Sequence, residues 1–113
     1  IGDAYYELEI RKYLIGKNIT KNKELRKISI EFVSASAHAY IFENIKDELT
    51  EEEMNVFTRG RNASTIGHRK NVDRKEHAIS SGYEAVLGYL YLKEDFIRLE
   101  YLIKKSIEIV ENK

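Results

Sequence analysis

From Ala85 to Leu92 the chain runs eight residues without a charge, although 34% of its residues are charged. So apolar a segment has to be hidden over most of its circumference. A fully buried strand or a central helix would hide it. The apolar pattern reaches back to Ala78, too long for a typical strand, so a helix is predicted. It is either the central helix of a small domain or part of a subunit interface. Proline is absent, which favours long uninterrupted helices throughout.

Length and composition set the remaining bounds. The 113 residues, 42% of them hydrophobic, predict one packed domain over 1–113. No cysteine is present, which excludes disulfides and thiolate metal sites and fits a cytoplasmic protein. No apolar run approaches the roughly 20 residues that span a bilayer, and no signal peptide is visible, so no membrane role is expected. The chain opens at Ile1 inside a helical pattern, which predicts that a short N-terminal piece precedes it.

Five further helices are predicted. The first runs from Gly2 to Leu14, with Ile1, Ala4, Tyr5 and Leu8 as its apolar stripe, and Gly16 and Asn18 break it. A second covers Lys23 to Phe32 through Leu25, Ile28 and Phe32. Ser34 caps a third, whose inward face is Ala35, Ala39, Phe42 and Ile45. Thr50 and Glu53 form a capping box for a fourth, through Met54 and Phe57, with Gly60 as its terminator. Residues 61–74 have no apolar period and form the main loop. The central helix follows from Lys75 to Leu92, then a last one from Phe96 to Val110, with Ile97, Tyr101, Lys104 and Ile107 to Ile109 around it.

The net charge is zero, but the charges are segregated. Arg11 to Lys27 holds seven basic residues against Glu24, and Arg59 to Lys75 holds six against Asp73. Glu43 to Glu53 holds six carboxylates against Lys46. On charge alone these are solvated faces and a polar loop.

Two carboxylates stand in unusual company. Asp3 lies between Gly2 and Ala4. Glu84 shares a helix face with Ser81 and Gly88, small residues that let another helix approach. If that helix is the first, Asp3 and Glu84 meet and can hold Mg²⁺. The local alternatives stay open. Asp3 also suits the positive end of its helix, and Ser81 with Glu84 also fits a capping box. Glu7 is assigned to an i, i+4 pair with Arg11. His38 is expected to have a local partner, His68 lies in the basic loop and His77 near a helix start. No two histidines have a zinc-ligand spacing.

Three stretches, in order, carry a resemblance. Ile1-Gly2-Asp3-Ala4 with Tyr6-Glu7-Leu8 resembles the first signature of ribonuclease III domains, and Gly82-Tyr83-Glu84-Ala85-Val86-Leu87-Gly88 through Leu92 resembles the second. Between them, Arg59-Gly60-Arg61-Asn62-Ala63 and Lys70-Asn71-Val72 resemble the Mini-III branch, which lacks the separate double-stranded-RNA-binding domain.

The resemblance implies an all-α, homodimeric fold like the ribonuclease III endonuclease domain. It implies Mg²⁺-dependent cleavage of double-stranded RNA with 5′-phosphate ends, on 23S ribosomal RNA precursor. Asp3 then matches the catalytic aspartate and Glu84 the metal-binding glutamate. Arg59, Arg61, Asn62, Arg69, Lys70 and Arg74 become the expected RNA contacts. A minimal domain of this kind leaves room for a ribosomal protein that presents the RNA. Ser81 departs from the family's acidic residue at that position, and another acidic position falls before Ile1. Fewer anionic ligands should weaken metal binding. The alternatives are a non-catalytic double-stranded-RNA-binding protein of the same fold and a helical protein-interaction module.

Overall fold

The helix expected around the uncharged run is α5 (Asn71–Leu92), and four other helices pack against it. The computed structural model describes residues 2–18, 21–63 and 71–113. The order is α1 (Gly2–Gly16), α2 (Asn22–Val33), α3 (Ala35–Ile45), a 3-10 turn at Lys46–Glu48, α4 (Glu51–Ala63), α5 and α6 (Phe96–Glu111). Among the described residues there is no strand, as an all-α fold requires. None of these helices is long and apolar enough to cross a membrane. Tyr83, Val86, Leu87 and Leu90 of α5 enter one core with Tyr6, Ile10, Ile41, Phe57, Leu99 and Leu102.

Local signals hold where both partners lie within one turn. Ser34 Oγ accepts from the Ala37 amide at 3.1 Å and caps α3. Thr50 and Glu53 exchange bonds of 2.9 and 3.1 Å at the start of α4, as a capping box does. Glu7 and Arg11 pair at 3.2 Å. Between α5 and α6 the chain reverses through Glu94 at φ 63°, with the Asp95 amide bonded to the Leu90 carbonyl at 2.9 Å. This is the Schellman ending of a helix.

Other expectations are corrected. The buried stripe of α1 is Gly2, Tyr6, Ile10 and Leu14, one position round from the predicted one, and Leu8 is exposed. Tyr6 can be buried because its hydroxyl donates to the Phe32 carbonyl at 2.9 Å. In α6 the core residues are Leu99, Leu102, Ile103 and Ser106, while Ile97 is 86% exposed. The inward face of α3 is Ala37, His38, Ile41, Phe42 and Ile45. His38 has a distant partner rather than a local one, its Nδ1 lying 2.8 Å from Ser80 Oγ on α5.

Gly60 does not end α4, which continues to Ala63. It marks a helix crossing. A Cβ at Gly60 would lie 2.7 Å from the Ala85 side chain, and one at Gly82 2.6 Å from the Phe57 ring. The crossing of α4 over α5 therefore needs hydrogen at both positions. Arg61 and Asn62 consequently belong to the same helix as Arg59 and not to the predicted loop, and α5 begins four residues earlier than expected.

One member of the acidic run is buried. Glu53 receives Arg98 Nε at 2.8 Å and Nη2 at 2.9 Å, and the same Nη2 reaches the Glu48 carbonyl at 2.7 Å. Burial pushes the Glu53 carboxyl up, but the bonds from Arg98 and Thr50 outweigh it and hold it below the usual range. Arg98→Met should cost about 3 kcal/mol at pH 7, because it strands a buried charge. Denaturant melts should show this gap narrowing with acid, first above the ordinary 4.5, where the stranded Glu53 of the variant takes a proton, and further below it as the wild type loses the stability of its ion pair. A pH-independent gap would mean that Arg98 acts through packing.

Candidate active site

The first turn of α1 lies on the backbone of α5. A Cβ on Gly2 would come within 2.3 Å of the Glu84 carbonyl oxygen and 2.5 Å of the Gly88 amide nitrogen. Only glycine permits that approach, and it brings the next residue, Asp3, beside Glu84. The two carboxyls are near enough for the charge of one to act on the other. Two groups separated by most of the chain are thus joined by one helix contact.

Around them is an open cleft of about 630 Å³, lined by Gly2, Asp3, Glu84, Ala85, Gly88, Tyr89 and Leu92. Asp3 is exposed and Glu84 half-buried. Burial first, and then the neighbouring Asp3 carboxylate, push the Glu84 carboxyl up to about 7. Glu84 therefore keeps its proton to a higher pH than an ordinary glutamate. A divalent ion would replace that proton and relieve the repulsion.

The local alternatives for Glu84 and Ser81 do not survive. Both sit deep inside α5, ten or more residues past its start, where no capping box can form. Ser81 instead gives its backbone to the α4 crossing, its carbonyl oxygen 3.1 Å from where a Gly60 Cβ would stand. His38, buried behind Asp3 among Tyr6 and Tyr83, is kept neutral by burial, which pulls it down to about 4 against the pull of Asp3.

The predicted basic set divides. Arg59, Arg61 and Asn62 lie exposed at the end of α4, on either side of the glycine that meets Ala85. Arg61 and Arg74 line a second cavity with Lys46 and Lys75. Arg69 and Lys70 lie outside the described residues, as does His68. The earlier basic run is ordinary surface in part, because Arg11, Lys12 and Lys17 pair with Glu7, Glu9 and Glu111.

Sequence reasoning missed Tyr89 and Leu92 as walls of the cleft. Leu92 had a signal, standing eight residues from Glu84 on the same helix face.

Residues 1–95 match the family model for the ribonuclease III domain. The chain is 43% identical over 112 residues to the Mini-ribonuclease 3 of Clostridium tetani, covering 98% of this chain and 74% of that one. It is 40% identical to the Mini-ribonuclease 3 of Streptococcus pneumoniae, covering 97% and 88%. A crystal structure of a Fusobacterium nucleatum protein superposes with a TM-score of 0.80 at 29% identity, over 96% of this chain and 86% of that one.

Proposed function

The chain belongs to the ribonuclease III family, in its Mini-ribonuclease 3 branch, and from that premise we propose a divalent-metal-dependent endoribonuclease acting on double-stranded RNA. The observation that carries this reading is the meeting of Asp3 and Glu84 in an open cleft, where the nearness of the two carboxylates raises Glu84. Among the described residues no group of three metal-binding side chains stands together. Two carboxylates nevertheless suit Mg²⁺, which keeps much of its water and is commonly held by one or two carboxylates plus substrate phosphate. Asp3 and Glu84 would hold that ion.

Mg²⁺ bound there supplies charge stabilisation and an activated water for phosphodiester hydrolysis, leaving 5′-phosphate and 3′-hydroxyl ends. The protein's own groups do the rest. The Gly2 contact with α5 holds the two carboxylates in register, and Tyr89 and Leu92 wall the cleft. Arg59, Arg61, Asn62, Arg69, Lys70 and Arg74 neutralise phosphates and reach 2′-hydroxyls of the shallow groove, so binding falls steeply with salt.

The described helices serve as one catalytic domain in a homodimer. Support comes from apolar surface beside the cleft, where Leu92 is 67% exposed and Phe96 and Ile97 follow on α6. Precursor 23S ribosomal RNA in the cytoplasm is the proposed substrate, with room for a ribosomal protein to present it.

The test is cleavage of a long RNA duplex with Mg²⁺, with chelator, and by an Asp3→Asn variant. Cutting with Mg²⁺ that stops in both controls is expected. Salt-sensitive binding without cutting would instead favour a non-catalytic RNA-binding protein, and neither would leave an interaction module.

A further inference from the structure

The cleft that brings Asp3 and Glu84 together continues along α5 to Tyr89 and Leu92. Its other lining residues are Gly2, Gly88 and Ala85, so Tyr89 carries the one side-chain hydrogen-bonding group besides the two carboxylates. Tyr89 is half-buried. Its ring is held on one side by the Lys93 ammonium, 5.5 Å from the centroid, and Lys93 is itself drawn to Glu52 at 3.4 Å. The hydroxyl is different. Tyr6, Tyr13, Tyr83 and Tyr101 each place theirs against a named partner. The Tyr89 hydroxyl makes no hydrogen bond to any described residue. A fixed ring with a free hydroxyl, in the wall of an open cleft, offers that hydroxyl to whatever enters.

Placement along the helix decides what it meets. Five residues of α-helix rise about 7.5 Å, so Tyr89 stands less than two turns beyond Glu84. Every phosphate of an RNA strand has a ribose on either side, and the 2′-hydroxyl sits on the carbon next to the one that bears the 3′-oxygen. A side chain this close to the metal-holding carboxylates therefore faces sugar. In a duplex the bases are paired, and the shallow groove presents 2′-hydroxyls. A phenol both donates and accepts, as a ribose hydroxyl does, so the two can pair whichever way each proton points. DNA has nothing at that position to answer it.

We propose that Tyr89 is a specificity-determining residue, its hydroxyl bonding the 2′-hydroxyl of a nucleotide beside the cut and so selecting ribose over deoxyribose there. The inference rests on the nuclease reading and names the feature of the substrate that its cleft recognises.

The test is a cycle of two proteins and two substrates. Wild type and Tyr89→Phe would cut, with Mg²⁺, an RNA duplex of defined sequence and the same duplex carrying 2′-deoxynucleotides on both sides of the mapped cut. Tyr89→Phe should lower kcat/KM about fivefold on the all-ribose duplex, the size of one hydrogen bond between neutral groups. On the deoxy-substituted duplex the two proteins should cut equally, because the partner of the hydroxyl is already gone. The melting temperature should not change, since the hydroxyl has no protein partner to lose. The ratio of the two rates within one protein also cancels any difference in how much of it is folded. Equal losses on both duplexes would mean that the hydroxyl meets phosphate, and no loss on either that it meets nothing. Both overturn the proposal. A wild type that cuts no RNA duplex is a separate result, which removes the nuclease reading and this inference with it.

Discussion

Glu84→Gln is expected to abolish duplex cleavage while making the metal-free protein more stable. The loss of activity should be on the order of a thousandfold, since the change removes one of two anionic groups that would hold the ion. The gain in stability follows from the site's electrostatics. Glu84 in the folded protein is pushed up to about 7 from an ordinary 4.5, by burial and then by Asp3. A raised carboxyl contributes stability that is fully present below about pH 4.5 and lost as pH rises through about 7. Above that pH the metal-free wild type holds two facing charges.

Glutamine keeps the shape and removes the second charge at every pH. Because Glu84 is half-exposed, solvent screens part of the effect, leaving about 1–2 kcal/mol. For a domain of this size that is roughly 4–8 °C. Thermal melts in chelator should show the variant ahead by this amount at pH 8 and level with wild type near pH 4.5. Added Mg²⁺ should raise the wild-type melting temperature and leave the variant's unchanged, by mass action on the folded state. A variant less stable than wild type at pH 8 would mean that Glu84 is a structural residue and not a strained ligand.

How much of this the sequence discloses depends on how far apart the interacting groups lie. The cap at Ser34 and the capping box at Thr50 and Glu53 were readable because each closes within three residues. The place of α5 was readable because an uncharged helix has to be central. The α1 stripe was misread for a physical reason. Gly2 and Tyr6 carry weak or mixed hydrophobic signals, and what buries Tyr6 is a hydroxyl acceptor 26 residues away. Gly60 carried the signal of a terminator, and only Ala85 and Gly82, on another helix, give it its role at a crossing. The small residues around Asp3 and Glu84 raise their meeting as one reading among several, and the resemblance to the family selects it. Nothing in their spacing shows that Gly2 lets α1 settle onto α5 and bring them together.

That settling contact can be tested directly. Gly2→Ala should cripple the site without touching either carboxylate. Its new methyl would stand 2.3 Å from the Glu84 carbonyl oxygen, 2.5 Å from the Gly88 amide nitrogen and 3.0 Å from the Gly88 Cα. All three obstacles are backbone of a central helix, so α5 does not yield and the start of α1 lifts by about an ångström. Asp3 rides on that turn. A displacement of this size at a reacting centre costs about a hundredfold in rate, and Mg²⁺ should bind more weakly as well. The opposite side of the contact provides the control. A methyl at Gly88 would meet Gly2 at 3.4 and 3.7 Å, ordinary packing distances, and alanine favours the helix by about 1 kcal/mol. Gly88→Ala should therefore keep α1 seated, retain Mg²⁺-dependent stabilisation in thermal melts and melt no lower than wild type. If Gly2→Ala retains wild-type cleavage and Mg²⁺ stabilisation, the two carboxylates do not depend on this crossing, and the site is built by some other contact.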